Sequence, residues 1–200
     1  MYGLPESTEV KRALPKAQLY KKFELKQSQR DAFDNDVAKM EIVNFISPQT
    51  VPAINEGEEV KAIFVVEVEL KKKEYDPKNI VFISKLIPQK IIFILKYNEV
   101  SQLAIFHSKL FTTGWQRDES NFPLRGLNLD MVWNSLVSFI GEVKIKEGNT
   151  LNEQIKLDEE RNKILKQIQM LEKQMRSTVQ PRRQREIYAE IKNLKMSLNG

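Results

Sequence analysis

Apolar and polar side chains alternate most regularly between residues 60 and 71. In an extended chain, one face of this segment carries only apolar side chains, those of Ala62, Phe64, Val66, Val68 and Leu70. The opposite face turns polar from Glu67 onward. This alternation predicts a strand that is buried on one face throughout and on the other face over its first half only.

A second strand is indicated at residues 91–95, where five apolar residues follow one another, as in strands that are covered on both faces. Between the two strands, Asp76 is a good helix N-cap and Pro77 suits the first helical position, and apolar residues then recur at helical spacing until Pro88. The order strand, helix, strand predicts a βαβ unit with parallel strands and a right-handed crossover.

The flanking segments complete an α+β pattern. Helical spacing occupies residues 14–23, 28–37 and 128–143, and strand-like segments occupy residues 40–46 and 102–111. Asn98 permits a tight reversal, so the strand at 102–111 should pair antiparallel with the strand before it. We therefore expect residues 1–148 to form an α+β domain, with a mixed β-sheet that contains the βαβ unit and is flanked by helices.

After residue 148 the apolar pattern changes to heptads. Two sets of four apolar residues repeat at spacings of four, three and four: Ile164, Ile168, Leu171 and Met175, then Ile187, Ile191, Leu194 and Leu198. The segment 177–181 between them ends in Pro181, a favourable residue for opening a second helix. Folding back there would pair the two sets completely, so residues 149–200 are predicted to form an antiparallel helical hairpin, a short coiled coil.

Composition narrows the classes of protein that fit. The 200-residue chain has no Cys, which excludes disulfides, thiolate metal sites and cysteine nucleophiles. Its single histidine, His107, lies on an apolar alternating segment and is expected to pack rather than to bind a metal. The sequence shows neither a secretory signal nor a membrane span, so we expect a cytoplasmic location and no membrane partner.

The net charge of +5 is concentrated in the predicted hairpin. Every charged residue between positions 173 and 185 is basic: Lys173, Arg176, Arg182, Arg183 and Arg185. Such a group could be a solvated, solubilising end of the coiled coil, or it could contact DNA phosphates or an acidic protein surface. No aromatic residue interrupts it, so base stacking is not expected.

One group of charged residues on the strand predicted at residues 60–71 could support catalysis. Glu67, Glu69 and Lys71 share a face, and Glu69-Leu70-Lys71 matches the E-x-K element of PD-(D/E)xK nucleases, with Glu41 on a neighbouring strand as the nearest acidic partner. In such nucleases carboxylates hold Mg²⁺ and the lysine stabilises the attacking water or the phosphate. Alternating charges also occur at exposed strand ends, where they discourage edge-to-edge pairing.

Four segments resemble a prokaryotic family, domain of unknown function 4391. They are LPESTEVKRALPKAQLY, EEVKAIFVVEVELKKKEYD, ISKLIPQKIIFIL and QREIYAEIKNLKMSL. The most specific block runs from Ile83 and Lys85 through Pro88 to Leu95, and the likeness extends over essentially the whole chain. The family tends to have acidic residues where Ala62 and Ser84 stand here, so any activity that needs those acids would be lost.

The resemblance implies a DNA-linked assembly, since genes of this family tend to lie beside DNA methyltransferases and helicases of restriction-like defence systems. We therefore expect a non-catalytic accessory protein of a phage-defence assembly that binds a partner protein, such as a methyltransferase or helicase, and could bind DNA. No cofactor is expected. Two alternatives stay open: a PD-(D/E)xK nuclease, which would need Mg²⁺, and a self-associating structural subunit whose arms pair between chains.

Overall fold

The computed structural model describes residues 2–117, 121 and 123–198. Its strands are β1 Glu9–Ala13, β2 Val37–Ile46, β3 Ile63–Leu70, β4 Lys90–Tyr97, β5 Val100–Phe106 and β6 Leu110–Thr112. Its helices are α1 Lys16–Lys22, α2 Gln27–Asp36, α3 Pro77–Ser84, α4 Leu129–Gly141, α5 Leu151–Ser177 and α6 Pro181–Ser197. The chain divides into two units, Met1–Val143 and Lys144–Gly200, whereas the sequence pattern placed a boundary at residue 148.

All six strands of the first unit form one sheet, in the order β1-β2-β3-β4-β5-β6. The pair β3–β4 is parallel and is joined by α3, whereas the other neighbours are antiparallel. The predicted mixed sheet, its βαβ unit and the α+β fold class are therefore confirmed.

One face of the sheet packs against α1, α2 and α3. The core on this face combines Val66, Val68 and Leu70 of β3 with Phe93 of β4, and the helices contribute Leu19, Phe33, Ile80 and Ile83. These strand residues are spaced two apart, so the face predicted from the alternation in β3 is buried, and Ile63 and Val65 at the start of the opposite face are buried as well.

A buried carboxylate joins the end of α2 to the start of α3. Asp36 is only 3% exposed, and its Oδ2 accepts hydrogen bonds from the Asp76 backbone N–H at 2.7 Å and from the Asn79 side-chain amide at 2.8 Å. Its Oδ1 lies 2.7 Å from Lys72 Nζ. Burial alone would raise the pKa of Asp36, but the hydrogen bonds from Lys72 and Asp76 lower it, so Asp36 is held as a carboxylate.

The helix α4 contacts β5 and β6 and buries Leu129, Val132, Trp133, Leu136 and Ile140. Its N-cap is Asn128, whose side chain accepts a hydrogen bond from the Met131 N–H.

A loop ahead of β3 is tied to the first turn of α4. Asp130 accepts backbone N–H groups of Glu58 at 2.6 Å and Val60 at 2.8 Å, with a longer contact from Glu59. Burial would raise the pKa of Asp130, whereas these N–H groups lower it. A Cβ at Gly57 would lie 2.3 Å from Asp130 Oδ1, so glycine is needed for this approach.

Two parts of the sheet differ from the sequence-based expectation. The strand β1 was not predicted from the sequence. Only two of its five residues, Val10 and Ala13, are apolar, and four of the five are exposed. The single strand predicted at 102–111 is wrong, since a turn at His107 separates β5 from β6. The His107 side chain accepts a hydrogen bond at this turn, since Trp133 Nε1 donates to its Nδ1 at 3.1 Å.

The second unit is the predicted helical hairpin. Thr150 caps α5 and forms a capping box with Glu153, and Pro181 opens α6. Ile168, Ile187 and Ile191 are buried in the seam between the helices, and Ile164, Leu171, Met175, Leu194 and Leu198 pack around them. Both heptad sets therefore meet within one chain. Within the described residues, no helix combines the length and the apolar character that a membrane crossing needs.

Candidate functional site: the basic end of the hairpin

The turn between α5 and α6 brings five basic side chains together at one end of the hairpin. We call this set the basic end, and its members, all exposed, are Lys173, Arg176, Arg182, Arg183 and Arg185. The seam fixes the two helices beside one another, since Met175 and Ile187 both pack in it. The turn is held by Gln184 Nε2, which donates to the Thr178 carbonyl at 2.6 Å. The sequence-predicted residues are thus collected on a defined support.

Glutamates flank the basic end and divide it into two parts. Glu186 lies 3.4 Å from Arg182 Nε and 3.0 Å from Arg183 Nη1, so these two arginines share one carboxylate. Within the described part of the chain, no ion pair involves Lys173, Arg176 or Arg185. These three residues therefore carry the positive charge that is not held in a salt bridge, and Arg176 also lies within electrostatic reach of Glu172.

The second flanking acid, Glu172, is engaged across the hairpin. It accepts a hydrogen bond from Lys195 Nζ at 2.9 Å, and this bond lowers the pKa of Glu172. The pair joins α5 to α6 beside the seam.

Two hollows lie beside the uncompensated cations. The first, of about 470 Å³, is lined by Gln169, Glu172, Lys173, Arg176 and Ser177. The second, of about 440 Å³, is lined by Met175, Arg176, Pro181, Gln184, Arg185 and Tyr188. Arg176 borders both hollows, so it lies at the centre of the positive surface.

The residues of the nuclease alternative lie on the other unit, and two of the four, Glu41 and Glu67, are paired with lysines. Glu41 and Glu67 are opposite one another on β2 and β3. Glu41 pairs with Lys39 Nζ at 2.8 Å, and Glu67 pairs with Lys96 Nζ at 2.9 Å. This arrangement neutralises each of the two carboxylates with its own ammonium group.

A buried tyrosine adds a third group to the Glu67 pair. The Tyr2 hydroxyl donates to Glu67 Oε2 at 2.8 Å, and burial, as the main cause, raises the pKa of Tyr2 to about 12. Burial would lower the pKa of Lys96, but its hydrogen bonds with Tyr2 and Glu67 raise it. The Tyr2 hydroxyl and the Lys96 ammonium group thus hold Glu67 in place on the surface of the sheet.

The E-x-K element itself is exposed. Glu69 is in register with Lys39 on one side and Lys96 on the other, and Lys71 follows the end of β3. Across residues 2–117, 121 and 123–198, no three His, Asp or Glu side chains are grouped closely enough to hold a metal ion. The nuclease reading stays a prediction.

The family profile described as Domain of unknown function (DUF4391) matches residues 2–198. The chain belongs to this family. The resemblance noted in the sequence is thereby confirmed over nearly the whole length. No curated protein and no solved structure matches the chain.

The block that most specifically marks the DUF4391 resemblance is a core element. It runs from the end of α3 into β4, and Ile83, Ile91, Phe93 and Leu95 are all buried in the core beneath α1, α2 and α3. Ser84, one of the departures, ends α3 and donates to the Val81 carbonyl. This part of the DUF4391 sequence therefore specifies the βαβ unit of the fold.

Sequence reasoning missed one residue beside the basic end. Tyr188 is 62% exposed and lines the 440 Å³ hollow with Arg176 and Arg185. It falls outside positions 173–185, three residues after Arg185 and one helical turn away. The helical spacing between Arg185 and Tyr188 was the signal that could have found it.

Proposed function

We propose that this protein is a non-catalytic accessory protein that contacts DNA phosphates through the basic end of its hairpin, as part of a restriction-like phage-defence assembly. A methyltransferase or helicase is the proposed partner protein, on the strength of the family resemblance alone. The observation that carries the DNA contact is the group of three exposed cations, Lys173, Arg176 and Arg185, none of which is in a salt bridge within the described residues.

Charge of this kind binds phosphates through counterion release. Each phosphate that a lysine or arginine neutralises frees condensed cations from the duplex, and this gain in entropy falls as salt rises. Arg182 and Arg183 contribute less, since a phosphate must compete with Glu186 for them. The helical support also matters, because the backbone that carries the cations is already ordered and only their side chains lose freedom on binding.

The experiment compares two triple variants on a short DNA duplex of mixed sequence, with affinity measured across a salt series. Replacing Lys173, Arg176 and Arg185 by Gln should weaken binding for all sequences alike and flatten the slope of log affinity against log salt by about 2.7, three contacts at about 0.9 each. The matched control replaces three exposed cations elsewhere on α5, Arg161, Lys163 and Lys166, by Gln. It removes the same net charge from the same unit.

Comparing the two triple variants distinguishes binding at the basic end from a general effect of the protein's net charge. If both triple variants lose the same affinity and slope, net charge alone governs binding and the proposed contact is wrong. The same conclusion follows if the basic-end variant binds like the wild type. Far-UV circular dichroism should show intact hairpins in both variants, because all six residues are exposed.

The partner protein is tested separately, by purifying the tagged protein from its native host. The proposal expects a methyltransferase or a helicase to come with it in stoichiometric amount. Recovery of the protein alone would contradict this part of the proposal.

A further inference from the structure

The 440 Å³ hollow of the basic end combines a flat aromatic ring with two cations. Tyr188 is 62% exposed on α6, and Arg185 precedes it by one turn on the same helix. Arg176 reaches the hollow from α5, and Met175 and Pro181 supply apolar lining. The hollow is open to solvent and lies wholly within the hairpin, so the pairing of α5 with α6 sets which side chains meet there.

Tyr188 is not needed to hold the hairpin together. Its neighbour Ile187 is 1% exposed and occupies the seam, and a step of one residue turns the side chain about 100° around the helix. Alanine forms helices better than tyrosine, so packing and propensity alone would not favour an aromatic residue there. The ring is therefore available to a ligand.

We propose that this hollow binds an unpaired nucleobase of single-stranded DNA, with the Tyr188 ring stacked on the base and with Arg176 and Arg185 on the adjacent phosphates. Base stacking on an aromatic side chain beside a positively charged surface is the usual way to bind single strands without sequence preference. In a duplex, the faces of the bases are covered by their neighbours, so a protein ring gains access only where pairing is lost. This inference rests on the proposed function, because it uses the same cations.

The deciding experiment measures binding to two single strands of equal length, oligo(dT) and an abasic strand that keeps every phosphate and lacks every base. The variant Tyr188→Ala should weaken oligo(dT) binding about 5- to 140-fold, since stacking is worth about 1–3 kcal/mol and about 1.4 kcal/mol is tenfold in affinity. Its affinity for the abasic strand should stay that of the wild type. Tyr188→Phe should retain binding to oligo(dT), because the ring can still stack.

The control variant is Met196→Ala, which removes another exposed apolar side chain, 64% exposed, from the same helix. It should bind both strands like the wild type. Circular dichroism should confirm that Tyr188→Ala keeps its helices, as expected for a residue outside the seam.

The outcomes distinguish this inference from the proposal beneath it. Unchanged oligo(dT) affinity in Tyr188→Ala, or an equal loss for the abasic strand, overturns the stacking site while leaving the phosphate contact intact. If replacing Lys173, Arg176 and Arg185 by Gln leaves the affinity for the abasic strand unchanged, the phosphate contact itself is wrong, and the stacking proposal falls with it.

Discussion

Removal of the buried carboxylate of Asp36 should weaken the first unit more than any exposed substitution. In Asp36→Ala the buried Asn79 amide loses its acceptor, which costs about 1–3 kcal/mol, and the bond from the Asp76 N–H to a charged acceptor is lost, for about 1.5–3 kcal/mol more. The Lys72 side chain is 54% exposed, so its loss adds at most about 1 kcal/mol. The expected fall in the free energy of unfolding is therefore about 2.5–7 kcal/mol.

The isosteric variant Asp36→Asn tests the atomic detail. Both the Asp76 N–H and the Asn79 amide donate to Oδ2, so a single amide oxygen can keep both bonds. The new amide group then replaces Oδ1 and faces the Lys72 ammonium. We expect a cost of about 1–2 kcal/mol, smaller than that of the alanine variant, because the two retained bonds lose only their charge assistance.

The pH dependence has a defined sign. Because the folded-state pKa of Asp36 is lowered, its contribution is complete above the unfolded pKa of about 3.9 and disappears as the pH falls through the folded value. The difference in unfolding free energy between the wild type and Asp36→Asn should therefore be largest at neutral pH and become smaller in acid.

The free energy of unfolding of each variant can be measured by urea denaturation, with the fluorescence of Trp115 and Trp133 as the signal. Both tryptophans belong to the same unit as Asp36. The control is Asp31→Asn, an exposed residue of the same helix that accepts the Gln27 amide at 2.7 Å. It should stay within about 0.5 kcal/mol of the wild type. An Asp36→Ala variant as stable as the control, or a gap that does not narrow in acid, would refute the reasoning.

Two further predictions concern the loop ahead of β3 and the strand that follows it. Asp130→Ala should lower the free energy of unfolding, measured in urea, by about 1–3 kcal/mol, because the buried Val60 N–H loses its acceptor whereas the N–H of the exposed Glu58 can bind water. A loss no larger than that of Asp31→Asn would contradict this contribution. With Mg²⁺ and supercoiled plasmid, the purified protein should leave the DNA intact on a gel; cleavage that disappears in both Glu69→Ala and Lys71→Ala would instead establish the nuclease alternative.

The elements that could be predicted are those whose partners are close in sequence or whose pattern is long. The hairpin follows from two matching heptad sets, and the βαβ unit follows from an alternating strand, a capped helix and a buried strand. β1 could not be found, because with Val10 as its one large apolar residue it gives no alternation to detect. The break between β5 and β6 was missed because His107 and Ser108 turn the chain without Gly or Pro.

The candidate site was only partly predictable for a related reason. Basic residues at the turn can be located from sequence once the hairpin is assumed. Their ion pairs with Glu186 were also readable, because Glu186 lies four residues after Arg182 and three after Arg183 on one helix. By contrast, Asp36 and Asn79 are 43 residues apart, so no local pattern indicates their hydrogen bond. Pairings made by the tertiary fold, rather than within one element, are the ones that a sequence pattern cannot supply.

The strand order of the sheet bears on how the molecule is made. Since every strand lies beside its neighbour in the chain, the sheet can grow by adding each newly synthesised strand to an edge that already exists. The step from β3 to β4 differs, because a parallel strand can dock only after α3 has been laid across the sheet. The hairpin leaves the ribosome after the sheet, and it closes through contacts within its own short segment, the kind that form fastest. The strand order is therefore compatible with folding in the order of synthesis, and the β3–β4 crossover is the step that must wait for a helix.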